Sequence, residues 1–360
     1  MPSGSQPAQG WRVSTSASRN GLAWSMCGTS TIRSSPQAAE PSIVSETSCE
    51  RRLSAMRCQP ESTMHDIPLI DFTPVHSGGA TGEREVARQI DRACREVGFF
   101  TLHSHGIARA VFSDVNSALK QFFVLPAADK MACRLSTGAT MSASDYTPYG
   151  YSALLEENAF AYMGEPDKPS DYVEKFSTGR LILDDQQPLP FPTGAHGQYL
   201  RRTLKAYYQA CESLAARLSE LLALSLGYPR SFFTERIDRS DDSLRAHLYP
   251  SASSELANDQ GMGEHTDGTL ITLLSHTAAG IQVRTRCGEW ITPRFHDIDH
   301  FIVNIGDLLA HWTRQEYVST RHRVVLTDCE RQSIVFFKLT NEDELVHIGN
   351  RQMDALFRRD

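Results

Sequence analysis

His265-Thr266-Asp267-Gly268-Thr269-Leu270-Ile271-Thr272-Leu273-Leu274 is the stretch on which the reading of this chain turns. Two residues apart on an extended segment, the His265 imidazole and the Asp267 carboxylate leave the same face of the backbone and can grip one ion. Gly261, Gly263 and Gly268 around them permit a tight turn and a close backbone approach. The apolar run over 270–275 then reads as a buried strand.

A His-x-Asp pair alone is weak in a chain with 13 histidines, and most lone histidines are surface or hydrogen-bonded core residues. Context changes this. His322, 55 residues after Asp267, stands at the head of an apolar strand, and Arg331-Gln332-Ser333 begins nine residues later. An antiparallel pair made from 322–326 and 333–339 is expected to carry Arg331 and Ser333 on the metal-facing side with His322, while Gln332 points away. Arginine offers a planar fork that matches a carboxylate, and serine adds a hydroxyl donor. Two imidazoles and one carboxylate on one face of a metal leave the opposite face open, which suits oxygen chemistry at iron.

Working outward, short apolar runs over 244–249, 270–275, 281–284, 290–293, 301–305, 322–326 and 333–339 are broken by Gly, Asp and Pro. Strands of that length and spacing predict a closed or double-layered antiparallel sheet, a jelly roll, over 231–350. Upstream, a helical N-terminal part is expected over 64–230. It comprises a strand at 67–72, a helix over 83–97 stopped by Gly98, a strand at 99–102 and a helix through Val111, Val115, Leu119, Phe122 and Phe123. A long amphipathic helix from Leu200 through Leu222 follows, closing at Gly227. The Gly-, Pro- and Ser-rich residues 134–195 between them read as long loops, where binding sites are usually shaped. The fold class is therefore mixed α+β.

Residues 1–63 carry 14 serines and no Asp or Glu before Glu40, and they read as a disordered leader or tail. Arg12, Arg19 and Arg33 in that acid-free setting give an alternative, an organelle import signal, and Met64 gives another, the natural start. The rest of the 360 residues, 40% hydrophobic and 22% charged overall, has the composition of a globular protein. A net charge of -7 argues against a nucleic-acid partner. Eight scattered cysteines without a CxxC pair fit reduced thiols in the cytoplasm, and no apolar stretch approaches the roughly 20 residues needed to cross a bilayer. A monomer is expected.

Seven segments, in order, resemble the Fe(II)- and 2-oxoglutarate-dependent dioxygenases of the isopenicillin N synthase-like family. They are Ile67-Pro68-Leu69-Ile70-Asp71-Phe72, Val97-Gly98-Phe99-Phe100, the opening stretch over 265–274, Gly280-Ile281-Gln282-Val283, Val303-Asn304-Ile305-Gly306-Asp307, Ser319-Thr320-Arg321-His322-Arg323-Val324 and Arg331-Gln332-Ser333-Ile334-Val335-Phe336-Phe337. The resemblance implies a double-stranded β-helix in which His265, Asp267 and His322 hold iron. It also implies that Arg331 and Ser333 hold the far carboxylate of 2-oxoglutarate, with Tyr249 contacting the same cosubstrate. Many plant members carry Asn two residues before that tyrosine; this chain has His247. The implied reaction consumes O2 and 2-oxoglutarate, releases succinate and CO2, and oxidises a small molecule, by default through hydroxylation, with ascorbate as a reductant.

Three alternatives remain: a 2-oxoglutarate-independent oxidase of the isopenicillin N synthase type, a zinc hydrolase, and a non-catalytic binding protein. Among other residues, His276, His296 and His300 read as solvated and Asp307 as a turn former. His311 reads as pocket lining or structural, and Tyr172, Lys175 and Phe176 as substrate-side.

Overall fold

Val86, Ile90 and Cys94 forecast a helix, and one runs Gly79–Glu96 (α1) with those residues and Ala87 and Ala93 buried on one face. The computed structural model describes residues 66–134, 149–253 and 256–341; the expected leader at 1–63 and the last part of the expected 231–350 segment lie outside them. Helix α1 begins earlier than the apolar period suggests because Gly82 lets the Pro74 carbonyl come close, where a Cβ would lie 2.1 Å from that oxygen. It stops at Gly98, whose φ of +75° and N–H bond to the Ala93 carbonyl at 2.8 Å close the last turn. Strand β1 (Leu69–Asp71) pairs in parallel with β2 (Phe99–His103), directly after that stop.

Helix α2 (Arg109–Phe123) buries Phe112, Val115, Leu119, Phe122 and Phe123. Two short strands follow, β3 (Gly150–Ser152) and β4 (Glu174–Gly179), with one turn of helix, α3 (Ala159–Tyr162), between them. Their presence amends the reading of 134–195 as loops. Glu174-Lys175-Phe176-Ser177 has too little apolar character to show a period, and the strand owes its existence to pairing with its neighbour. Helix α4 (Gly194–Ser225) is the long amphipathic helix expected, 32 residues in extent.

The remaining strands are β5 (Ser243–Tyr249), β6 (Gln260–His265), β7 (Ile271–His276), β8 (Ile281–Arg284), β9 (Trp290–Ile291), β10 (Phe301–Ile305), β11 (His322–Val325) and β12 (Arg331–Lys338), with a short helix, α5 (Asp307–Trp312), after β10. They form an eight-stranded sheet in the order β1-β2-β10-β7-β12-β5-β4-β3 and a four-stranded sheet in the order β6-β11-β8-β9. The large sheet thus draws β1 to β4 from before residue 231. Two-residue periodicity divides its faces: Ile334, Phe336, Leu244, Ala246, Ile271 and Leu273 pack against Leu204, Tyr207, Tyr208 and Cys211 of α4. Their neighbours Val335, Leu274, Ile302 and Phe99 turn the other way, onto Ile281 and Val283 of the small sheet.

One expected contact is absent. Neither sheet pairs β11 with β12: β11 lies between β6 and β8, and β12 between β5 and β7. Both edges of β11 are already occupied, so the chain over 326–330 crosses from one sheet to the other. Arg331 and Ser333 therefore share the interior with His322 from the opposite wall, instead of lying beside it on one ladder.

Phe336 joins the sheet to the helix layer, fully buried with its ring edge-on to Tyr208 at 5.2 Å. Phe336→Ala should lower unfolding free energy by about 3–5 kcal/mol through lost burial and the cavity left behind, read as a shift in denaturant midpoint at unchanged slope.

Candidate metal centre

His265 ends β6, and His322 begins β11 directly opposite it in the ladder. The two ring centroids lie 4.3 Å apart. Each imidazole is oriented by its own backbone: the Gly263 carbonyl accepts from His265 Nδ1 at 2.7 Å, and the Thr320 carbonyl accepts from His322 Nδ1 at 3.1 Å. With Nδ1 carrying the proton, both Nε2 lone pairs are left for a cation. They face the carboxylate of Asp267, whose Oδ1 is 3.7 Å from His265 Nε2 and 3.8 Å from His322 Nε2. An ion bonded at about 2.1 Å sets its ligand atoms roughly 3–4 Å apart, so the spacing fits a divalent metal. Among the described residues, these three form the one group of His, Cys, Asp or Glu side chains so convergent.

The carboxylate is held from behind. Asp267 Oδ2 accepts from Thr272 Oγ1 and from Asn304 Nδ2, both at 2.8 Å. Thr272 and Asn304 are direct partners on β7 and β10, which puts them on one face. Burial pushes the Asp267 carboxyl up, but His322, His265 and these two donors outweigh it and leave it below its ordinary range. Burial, followed by the neighbouring His322, holds the His265 imidazole down to about 4. Neutral imidazole and ionised carboxylate are the forms that bind a metal at neutral pH.

Sequence reasoning missed Asp171, which is fully buried and accepts from Gly263 N–H, Gln260 Nε2 and Ala159 N–H at 2.7–2.8 Å. It ties α3 to β6 and, through the N–H of Gly263, holds the residue whose carbonyl orients His265. The Phe160 ring lies over Gly263, where a Cβ would come within 2.7 Å of it. A lone Asp in a loop carries no signal of such a role. Asn304 stood in one of the quoted segments, yet its partner was set by sheet register alone.

On the opposite wall, the inner face of the large sheet reads in rows across the strands. Arg331 and Tyr249 form one row; Lys175, His247, Ser333 and His276 form the next. Arg245, Val335, Leu274 and Ile302 follow, and then Phe337, Thr272 and Asn304. Arg331 is 2% exposed, its Nε donates to the Ala278 carbonyl at 3.0 Å, and among the described residues no carboxylate pairs with it. Both its Nη atoms, Ser333 Oγ and His247 Nδ1 are buried without a hydrogen-bond partner. Burying a guanidinium without a counter-charge is unfavourable by several kcal/mol, so this cradle is built for an anionic oxygen ligand. Tyr249 lies under the Arg331 guanidinium at 5.1 Å, its phenol pushed up to about 12 by burial against the pull of that cation.

The other predicted residues divide. His276 is not solvated: it is buried beside Ser333, donates Nδ1–H to the same Ala278 carbonyl at 2.7 Å, and is held to about 3 by burial and then by Arg331. It is the last residue of β7, on the inner wall, where a loop edge was expected. His296 is exposed, and half-buried His300 stacks on it. Phe176 turns to the helix side and packs on Phe122 at 4.8 Å, so it is core and not substrate-side. Lys175 is buried in an ion pair with Glu157 on the inner wall, its ammonium lowered to about 8 by burial. Tyr172 is half-buried with its hydroxyl accepting from Ala257 N–H, and His311 is half-buried on α5. Asp307 opens α5, takes the Thr266 hydroxyl on Oδ2 and gives its N–H to the Asp267 carbonyl, the turn role expected.

Residues 67–194 match the family described as non-haem dioxygenase in morphine synthesis, N-terminal, and residues 240–340 match the 2OG-Fe(II) oxygenase superfamily. A homoarginine 6-hydroxylase of Glycine max is 31% identical over 306 residues, 78% of this chain and 87% of that protein. Gibberellin 20 oxidase 1-D of Triticum aestivum is 29% identical over 80% of this chain and 76% of its own. The crystal structure of a full-length Neurospora crassa protein in complex with α-ketoglutarate and thymine superposes with a TM-score of 0.67 at 26% identity, over 79% of this chain and 88% of that one.

Removing a donor behind the carboxylate tests the metal centre without touching a ligand. Asn304→Leu should reduce metal affinity by roughly 10- to 100-fold with the fold retained, measured by competition against a chromophoric chelator.

Proposed function

The chain belongs to the Fe(II)- and 2-oxoglutarate-dependent oxygenases, and on that premise we propose that His265, Asp267 and His322 hold the iron while Arg331 and Ser333, beside Tyr249, hold the far carboxylate of 2-oxoglutarate. The protein is a non-haem dioxygenase that oxidises a small molecule. Hydroxylation is the outcome we assign to it.

The observation that carries this reading is the buried, uncompensated guanidinium of Arg331 with the Ser333 hydroxyl, facing a His/Asp/His cluster from the opposite sheet. A dicarboxylate with one end on the metal and the other on the Arg331 fork answers both features at once. When bound, iron would activate O2, the oxidant; 2-oxoglutarate would give up two electrons and leave as succinate and CO2 with one oxygen atom, leaving the other oxygen atom for the substrate.

The chain's own residues bind, orient and exclude water. Nε of Arg331 is tied to Ala278, which aims the two Nη atoms as a fork and leaves them free for a bidentate carboxylate. Gly280, at φ +138°, allows this approach: a Cβ there would meet the Val325 carbonyl at 3.0 Å and Arg331 Cδ at 3.3 Å. Phe99, Leu274, Ile281, Val283, Ile302 and Val335 form a dry wall, and the Phe99 ring packs edge-on against His322 at 5.3 Å. That wall keeps water and stray reductants from the reacting groups.

The same reading takes the enzyme as a cytoplasmic monomer without a nucleic-acid or membrane partner. Support comes from the net charge of -7 and from the free thiols of Cys94, Cys133, Cys211 and Cys329. No described helix is long and apolar enough to cross a membrane.

Arg331→Ala removes a charge-assisted pair of about 1.5–3 kcal/mol, so it should weaken 2-oxoglutarate binding by roughly 10- to 100-fold while metal uptake persists. Unchanged affinity would refute the assignment of the cradle. In turnover, one succinate should form per oxidised substrate; oxidation without succinate would select the isopenicillin N synthase type of reaction, with the Arg331 fork holding the substrate's own carboxylate.

A further inference from the structure

Thr269 stands between Asp267 and the start of β7, and its buried hydroxyl lies 3.0 Å from that of Thr272. Thr272 Oγ1 in turn lies 2.8 Å from Asp267 Oδ2. The direction of these two bonds follows from counting protons. A carboxylate that binds a metal is ionised and only accepts, so the single hydroxyl proton of Thr272 goes to Asp267. The Thr269 hydroxyl must therefore donate to Thr272, and the two hydroxyls form a relay aimed at the carboxylate. The backbone holds the outer end of this relay in place. The Thr269 carbonyl accepts from Leu308 N–H at 3.1 Å, and Gly306 passes so close to Thr269 that no Cβ would fit there.

We propose that Thr269 is a positioning residue for the metal centre, its hydroxyl steadying Thr272 so that Thr272 and Asn304 keep Asp267 Oδ2 and leave Oδ1 alone for the metal. This rests on the reading of Asp267 as a metal ligand given above. Hydrogen bonds in series polarise one another, so the bond from Thr272 to Oδ2 is firmer for the bond behind it. The outer bond also fixes the Thr272 rotamer. Without it, the hydroxyl that meets Oδ2 is held from one side only. An Oδ2 released from its donors is free to turn to the metal, where it would close one of the positions that cosubstrate and O2 need. The competing account is that Thr269 only fills the space under Gly306, in which case its methyl group matters as much as its hydroxyl.

The test measures the Mn(II) affinity of the full chain by competition against a chromophoric chelator, so that neither substrate nor turnover is needed. Thr269→Val keeps the shape of the side chain and loses the hydroxyl; Thr269→Ser keeps the hydroxyl and loses the methyl. The valine variant should bind Mn(II) about threefold or more weakly, a smaller loss than removal of a donor that touches the carboxylate, and the serine variant should match the parent. Thr272→Val cuts the relay nearer the metal, so adding Thr269→Val to it should bring no further loss. A loss smaller than about twofold in Thr269→Val overturns the proposal. A serine variant as weak as the valine one, the result that space filling predicts, overturns it as well, and so does an additive loss in the double variant. Should the valine variant not fold, Thr269→Ala takes its place against serine and the same outcomes decide. Asp267→Ala, run alongside, separates the two levels: binding abolished there with Thr269→Val unaffected refutes the relay alone, and binding kept there refutes the metal centre itself.

Discussion

The carboxylate of Asp267 is the constraint on which the site depends, because it is the point at which the two sheets are fastened to one chemical object. Its Oδ1 faces imidazoles carried by the small sheet, and its Oδ2 is held by Thr272 and Asn304 of the large one. A buried anion in such a place is stable only while donors and cations surround it. The spacing of the sandwich and the geometry of the metal ligands are therefore set together. Asp307, by giving its N–H to the Asp267 carbonyl, fixes the backbone of the same residue from a third direction.

Much of the site is legible in the sequence because the relevant physics is local. The two-residue spacing of His265 and Asp267 and that of Arg331 and Ser333 each dictate a shared face, whatever the partner strands are. The unread parts are non-local. The β11 and β12 segments look like a hairpin from their proximity in sequence, yet each satisfies its edges elsewhere, and no local rule states which edges are already taken. Strand β4 and the Gly-rich β6 have little intrinsic strand preference and are defined by their neighbours. Asp171, Asn304 and His276 are polar residues whose burial depends on register and packing that no local pattern reveals. Phe176 shows the reverse error: a plausible pocket residue on sequence position, it lies on the wrong face of its strand by one step of the pleat.

The two faces of the large sheet have opposite demands. Towards α4, Leu273, Ile334 and Phe336 are close-packed among aromatic and aliphatic side chains, and every layer contributes to stability. Towards the small sheet, the same strands present Arg331, Ser333 and His247 with unmet hydrogen-bonding capacity. One strand, β12, serves both purposes by alternating them residue by residue. Binding sites commonly cost some stability, and here that cost is confined to one side of the pleat.

That asymmetry couples the stability of the fold to its ligand. A ligand that meets those polar atoms in the folded state and not in the unfolded one stabilises the fold by mass action. The cosubstrate then helps to hold the sandwich closed as well as taking part in the reaction. The rows of side chains that serve the reaction thus also link the firmness of the fold to what the reaction consumes.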